Sequence, residues 1–360
     1  MRLRSIALLA ALASPLAVVG AGPSAAAAVS APSIAGPVAG FAWIDGPGTA
    51  GVTTSYDSAG GTISATENTS GFFAVTFGGL AFSGGDVQVS GLDSQGSCVV
   101  QSWNPAGSDL VVNVACYHLG VPSDEQFDVL VTQPRSTPAG VLDYAWMNRP
   151  ASSGKLTGAY DYNSSHKTNS VSHRGTGRYL VTLPGPQVIG TSTGSVMVTA
   201  YGTGAGGCQL ASWHSTPSGQ LVGVDCFTSA GVPQDRKFTL AYVKGGNLMG
   251  LNGQVDANAM ANGQSPVYQP AIQYDSNHAA RVTVVHLDTG YYEVVAAGSN
   301  PTHRAGGGDG DAQLTTAGSI PVTCGFYEIG THQPAVYVTC SNPAGHPANA
   351  AFTLQWVVKK

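Results

Sequence analysis

Charge is scarce in this chain of 360 residues: Asp, Glu, Lys and Arg together make up 10% of it, and glutamate occurs only as Glu67, Glu125, Glu293 and Glu328. A glycosidase built on paired carboxylates needs two acids facing one cleft, and none of these four recurs at an equivalent point along the chain. Between Arg4 and Arg135 there is no Lys or Arg, and nowhere is there a dense basic run, which argues against nucleic acid as a partner. No apolar stretch of about 18 residues follows residue 28, so no membrane span is expected. No His recurs at one point of all three repeats and H-E-x-x-H is missing, so neither a metal centre nor another cofactor is expected. Gly190-Thr191-Ser192-Thr193-Gly194 fits G-x-S-x-G, but Val196-Met197-Val198-Thr199 reads as a strand where a nucleophile elbow requires a helix. Asp309-Gly310-Asp311 lacks the further acidic ligands of a calcium loop and reads as a connecting loop. No catalytic residue is expected.

What the chain does have is a repeat. Ser70-Gly71-Phe72-Phe73-Ala74-Val75, Thr176-Gly177-Arg178-Tyr179-Leu180-Val181 and Thr289-Gly290-Tyr291-Tyr292-Glu293-Val294 share one pattern. Each is followed by a cysteine pair: Cys98 with Cys116, Cys208 with Cys226, Cys324 with Cys340. After each second cysteine comes Gly-x-Pro-x-(Asp/Asn) and a Phe, ending at Asp124 and Phe127, Asp235 and Phe238, and Asn349 and Phe352. The period of roughly 105 to 115 residues is too long for a solenoid and matches an independent domain. The expected organisation is a signal peptide at 1–28 and three repeats at 29–134, 135–244 and 245–360.

Within a repeat, short runs rich in β-branched and aromatic residues alternate with Gly, Ser, Asn and Pro, and no long amphipathic helix follows residue 28. The expected fold is all-β: three tandem antiparallel β-sandwich domains, jelly-roll or Ig-like, each with one disulfide inside a hairpin. A six-bladed propeller made of double-blade repeats is the alternative, disfavoured because cysteines would then mark only alternate blades. The midpoints of the first two cysteine pairs fall at Gly107 and Pro217, both in turn clusters, so each pair should sit face to face across a hairpin. Arg2 and Arg4, the apolar run from Ile6 to Val19 and the small residues Ala25 to Ala28 read as an export signal, so the mature protein is expected to be secreted. The repeats differ in charge. Nine acidic and no basic residues give the first −9, nine basic and four acidic give the second +5, and four basic and seven acidic give the third −3. Opposite signs would draw repeats together, within one molecule or between copies.

Candidate ligand-binding positions come from comparing the repeats. Trp103 and Trp213 lie five residues after their cysteines, which by strand alternation places them on the face opposite the disulfide. Tyr56-Asp57-Ser58, Tyr162-Asn163-Ser164 and Tyr274-Asp275-Ser276 recur as well; a ring beside a carboxylate or amide suits a sugar, and the same residues suit a turn. Trp43 and Trp146 sit in an opening aromatic strand, and Asn247-Leu248-Met249-Gly250 reads as its Trp-less counterpart in the third repeat. The chain resembles a family of secreted tandem β-repeat proteins of high-GC bacteria that carry G-x-Y-x-V-x-(F/L) and a C…C hairpin. That resemblance implies modular β architecture and carries no activity with it.

The leading expectation is a nonenzymatic modular binding protein for polysaccharide or cell-surface glycan, in which several weak sites on one chain give avidity. The alternatives are a structural envelope component that assembles with itself or another secreted protein, and a hydrolase with an unrecognised site.

Overall fold

Alternating apolar and polar residues between glycine-rich turns give this sequence its strands. The computed structural model describes residues 38–46, 50–134, 138, 140–185, 188–190, 192–251, 255–264, 266–276, 281–296, 310–329 and 335–358. The expected signal peptide lies outside the described residues. The first repeat forms β1 (Val38–Asp45), β2 (Gly51–Asp57), β3 (Ile63–Thr69), β4 (Phe72–Phe77), β5 (Asp86–Gly91), β6 (Gly96–Ala106), β7 (Asp109–His118), β8 (Val121–Pro122) and β9 (Phe127–Gln133). The second forms β10 (Val141–Met147), β11 (Gly154–Lys155), β12 (Asp161–Tyr162), β13 (Ser170–Gly175), β14 (Arg178–Pro184), β15 (Gly194–Tyr201), β16 (Gly206–Thr216), β17 (Gly219–Thr228) and β18 (Lys237–Lys244). The third forms β19 (Val255–Ala261), β20 (Val267–Tyr268), β21 (Gln273–Asp275), β22 (Val282–Asp288), β23 (Tyr291–Ala296), β24 (Gly310–Ala317), β25 (Thr323–Ile329), β26 (Ala335–Ser341) and β27 (Ala351–Val358).

The fold is all-β, and one strand order occurs three times. An inner sheet runs β2-β1-β9-β5, β12-β10-β18-β15 and β21-β19-β27-β24; an outer sheet runs β3-β4-β7-β6, β13-β14-β17-β16 and β22-β23-β26-β25. Each inner and outer pair closes over its own apolar core, so a repeat is one sandwich and not two propeller blades. Phe73, Val75 and Phe77 meet Val87, Val89 and Val129 in the first core, and equivalent residues fill the other two. The three disulfides join residues in direct register across β6 and β7, β16 and β17, and β25 and β26, with Cα atoms 4.1, 4.0 and 4.0 Å apart. Such bonds belong to an oxidising environment.

The three sandwiches close into a ring. Tyr201 of β15 bridges Val100 of β6, Ala317 of β24 bridges Leu210 of β16, and Leu92, just beyond β5, bridges Phe326 of β25, all in parallel. The far faces of the three inner sheets meet at the centre, so β5, β15 and β24 are buried on both sides. There a cyclic set of bonds repeats itself: Val89 N–H donates to Thr199 Oγ1 at 3.1 Å, Val198 N–H to Thr315 Oγ1 at 2.9 Å, and Leu314 N–H to Ser90 Oγ at 2.9 Å. Ala39, Phe41, Leu142, Tyr144, Met197 and Met249 make an apolar layer shared between repeats. Through these bonds and layers the described residues after Pro32 form one compact unit.

Register corrects the expected opening segment of the third repeat, Asn247 to Gly250. Trp43, Trp146 and Met260 stand opposite Asp128, Thr239 and Thr353, so β19 is its opening strand. Asn247 to Gly250 instead form a turn closed by the Gly250 N–H on Asn247 O at 3.0 Å. The three equivalent side chains are plugs in the ring. Trp43 packs on Phe326 of the third repeat, Trp146 on Trp103 of the first, and Met260 against the core of the second.

Candidate binding cleft

The repeat signature resolves into a structural knot. Gly71, Gly177 and Gly290 turn the β3–β4, β13–β14 and β22–β23 hairpins, and their N–H groups donate to Asp124, Asp235 and Asn349 at 2.5, 2.7 and 2.7 Å. Their carbonyls in turn accept from the N–H of Cys116, Cys226 and Cys340. The conserved spacing of turn, cysteine and Gly-x-Pro-x-(Asp/Asn) is therefore the spacing of one lock made three times. In the second repeat His173 Nε2 also lies 2.9 Å from Asp235 Oδ1, and in the third His286 Nε2 lies 3.0 Å from Asn349 Oδ1. Desolvation is the largest single effect on Asp235 and acts upward, but the hydrogen bonds from Gly177, His173 and Tyr179 and the charge of His173 together outweigh it and hold the carboxyl below its ordinary value.

The residues singled out for ligand binding are mostly spent on structure. Trp103 is 3% exposed, its N–H donates to Gly84 O at 2.6 Å, and the rings of Trp146, Tyr160 and Tyr201 surround it. It shares the first core with Cys98, so it lies on the disulfide's side of the strand. The expected opposite placement fails because a β-bulge between Val100 and Ser102 adds a residue and reverses the alternation. The same bulge between Leu210 and Ser212 turns Trp213 toward the core of the second repeat, where its N–H reaches Gln220 Oε1 at 2.9 Å. Tyr56 and Tyr162 stack on Phe41 and Tyr144 of their own sheets at 6.1 and 5.7 Å. Asp57 Oδ1 accepts from Ala59 N–H at 2.7 Å, closing a turn, and burial raises its carboxyl despite that bond. Asn163 is buried, accepts from Ser165 and Lys167 N–H, and donates to Asn169 and Pro184. Tyr274 lies opposite Asn258 at the same place in the third sheet and is half-buried, and its neighbour Asp275 is 7% exposed. These pairs sit at three equivalent strand ends and form no common cleft. Of the expected loop at 309–311, Gly310 and Asp311 begin β24; Asp309 lies outside the described residues.

The open aromatic surface is elsewhere, at the joint between the first and third repeats. A cleft of about 530 Å³ there is lined by Asp93, Asp124, Glu125 and Gln126 from the first repeat and by Tyr291 and Tyr327 from the third. Its floor is the bridge between Leu92 and Phe326, where Asp93 N–H donates to Phe326 O at 2.7 Å. The strands approach so closely that a Cβ on Gly325 would lie 2.2 Å from Asp93 O. Tyr327 is 63% exposed. Its ring meets Tyr291 edge-on at 5.9 Å, and Tyr291 stacks on Tyr337 at 6.1 Å. Tyr337 OH donates to Glu293 Oε1 at 3.1 Å, while across the cleft Glu125 Oε1 lies 3.2 Å from His118 Nδ1.

Fixed rings beside accepting carboxylates and amides can take the apolar face of a sugar while binding its hydroxyls. The volume lies within the ~300 to 1,000 Å³ usual for ligand clefts. A sequence signal for this site existed in Tyr291, which occupies the outward position that Phe72 and Arg178 hold in the other repeats. Tyr327 carried no signal, because it recurs in neither of the other repeats. No protein-family model, no curated protein and no solved structure matches the chain.

Proposed function

We propose that this is a secreted, nonenzymatic saccharide-binding protein whose ligand surface is the cleft of Tyr291 and Tyr327. The observation that carries the reading is Tyr327: a ring 63% exposed, steadied by a second ring, at the mouth of a cleft with carboxylates on its far wall. An aromatic left this open contributes nothing to a core and is suited to stacking. The acidic wall favours neutral, hydroxyl-rich sugars over acidic ones.

The test is cosedimentation of the oxidised mature protein with insoluble neutral polysaccharides and cell walls, with released sugar assayed in the supernatant. Salt-resistant pelleting without release is expected, and Tyr327→Ala should weaken it by about tenfold, the effect of roughly 1.4 kcal/mol of lost stacking. Pelleting that is unaffected by Tyr327→Ala would remove the cleft from the function. A second reading, self-assembly, rests on the exposed apolar side chains Val121, Val232 and Ile320, which are 66, 58 and 73% accessible. Sedimentation that rises with protein concentration in the absence of polysaccharide would favour it.

A further inference from the structure

A second cavity, wholly within the second repeat, has a different chemistry. The connection from β10 to β12 is long, crosses the sandwich edge through β11, and encloses about 220 Å³. Trp146 and Tyr160 line it, with ring centroids 4.7 Å apart. Trp146 is the plug of this repeat, but its equivalent Trp43 has an acceptor, Gly310 O at 2.9 Å, whereas the buried Nε1–H of Trp146 has none. That Nε1–H is sealed off, so the part of Trp146 open to a ligand is the rest of its half-buried side chain. Asp161 also lines the cavity. One of its oxygens accepts from Asn169 Nδ2 at 2.9 Å. Arg149 and Lys155, both exposed, stand at the mouth.

We propose that this cavity is a site for a single sugar ring bearing a carboxylate, a uronic acid. The aromatic pair takes the ring face, Asp161 takes hydroxyls, and Arg149 and Lys155 pair with the carboxylate. The volume is below the ~300 Å³ of drug-sized pockets, which suits one ring. Two cations against one carboxylate make the cavity electropositive, in the repeat whose net charge is +5. The cleft of Tyr291 and Tyr327 is acidic where this cavity is basic, so the two sites select different sugars and this inference does not depend on the first.

Calorimetric titration of the full mature protein with glucuronate, galacturonate, mannuronate, glucose, acetate and inorganic phosphate tests it. At least one uronate should bind, at one site per chain, about tenfold or more tighter than glucose, acetate or phosphate. The double variant Arg149→Ala/Lys155→Ala should lose that binding by about tenfold or more. Both side chains are exposed, so the variant should keep its melting temperature and its pelleting on neutral polysaccharide. No binding of any of the three uronates, equal binding by the double variant, or equally tight binding of phosphate or acetate would overturn the proposal.

Discussion

Gly71, Gly177 and Gly290 hold φ angles of 79°, 69° and 67°, a region that residues with a Cβ rarely adopt. A Cβ on Gly177 would also lie 2.5 Å from Cys226 O. Gly177→Ala should therefore cost roughly 1–3 kcal/mol, by strain and by loosening the lock on Asp235. The lock itself asks only for an oxygen acceptor, as Asn349 shows in the third repeat. Asp235→Asn should accordingly melt close to the native protein, whereas Asp235→Ala should lose about 1 kcal/mol by leaving Gly177 N–H unpaired. Thermal melts of the two variants decide the point, and equal losses would count against the lock. Because Asp235 is held below its ordinary value, its contribution is present above about pH 4 and fades as the pH falls further.

At the level of strands, β5, β9 and β24 carry carboxyls into the middle of the molecule. Asp86 is fully buried and pushed up to about 7 by desolvation, against the pull of its hydrogen bond from Gln88. Burial likewise pushes Asp143 and Asp161 up to about 6. Asp128 of β9 and Asp311 of β24 face each other across the joint of the first and third repeats. Both are raised, by burial first and, for Asp128, by the neighbouring charge as well. A group raised in the folded state gives its full stability below its unfolded value near 3.8 and loses it as the pH rises through its folded value. Stability should fall between about pH 4 and pH 7, the reverse of ordinary acid denaturation. The melting temperature is expected to be higher at about pH 5 than at about pH 8, and a rise over that interval would refute the account. Asp311→Asn keeps an acceptor for Gln313 and supplies a donor to Asp128, so it should flatten the dependence.

The whole molecule is held together by features that belong to no single repeat. The shared apolar layer, the hydroxyl cycle of Ser90, Thr199 and Thr315, and the plugs Trp43, Trp146 and Met260 each need at least two sandwiches in place. Loss of one repeat would expose buried apolar surface and unpaired polar groups in the others. Unfolding should therefore be one cooperative transition, with the calorimetric enthalpy matching the van't Hoff enthalpy. Three separable transitions would show that the sandwiches are thermodynamically independent. Each disulfide closes a loop of about 18 residues and should add roughly 3 kcal/mol in the chain-entropy model, so reduction should lower the melting temperature of the whole unit.

Local patterning was enough to determine the strands, the three hairpin disulfides and the sandwich within each repeat, since these depend on alternation, turn residues and spacing, which recur. The faces of Trp103 and Trp213 were not legible, because a bulge of one residue reverses alternation without leaving a composition signal. The role of Asp57 and Asn163 as turn formers was open in the sequence, and their hydrogen bonds decided it. The ring and both cavities were decided by tertiary structure alone. The bridges between repeats are made by residues that differ from one repeat to the next, Leu92, Tyr201 and Ala317. Tyr327 faces Asp124 and Glu125 only because the third sandwich closes back onto the first.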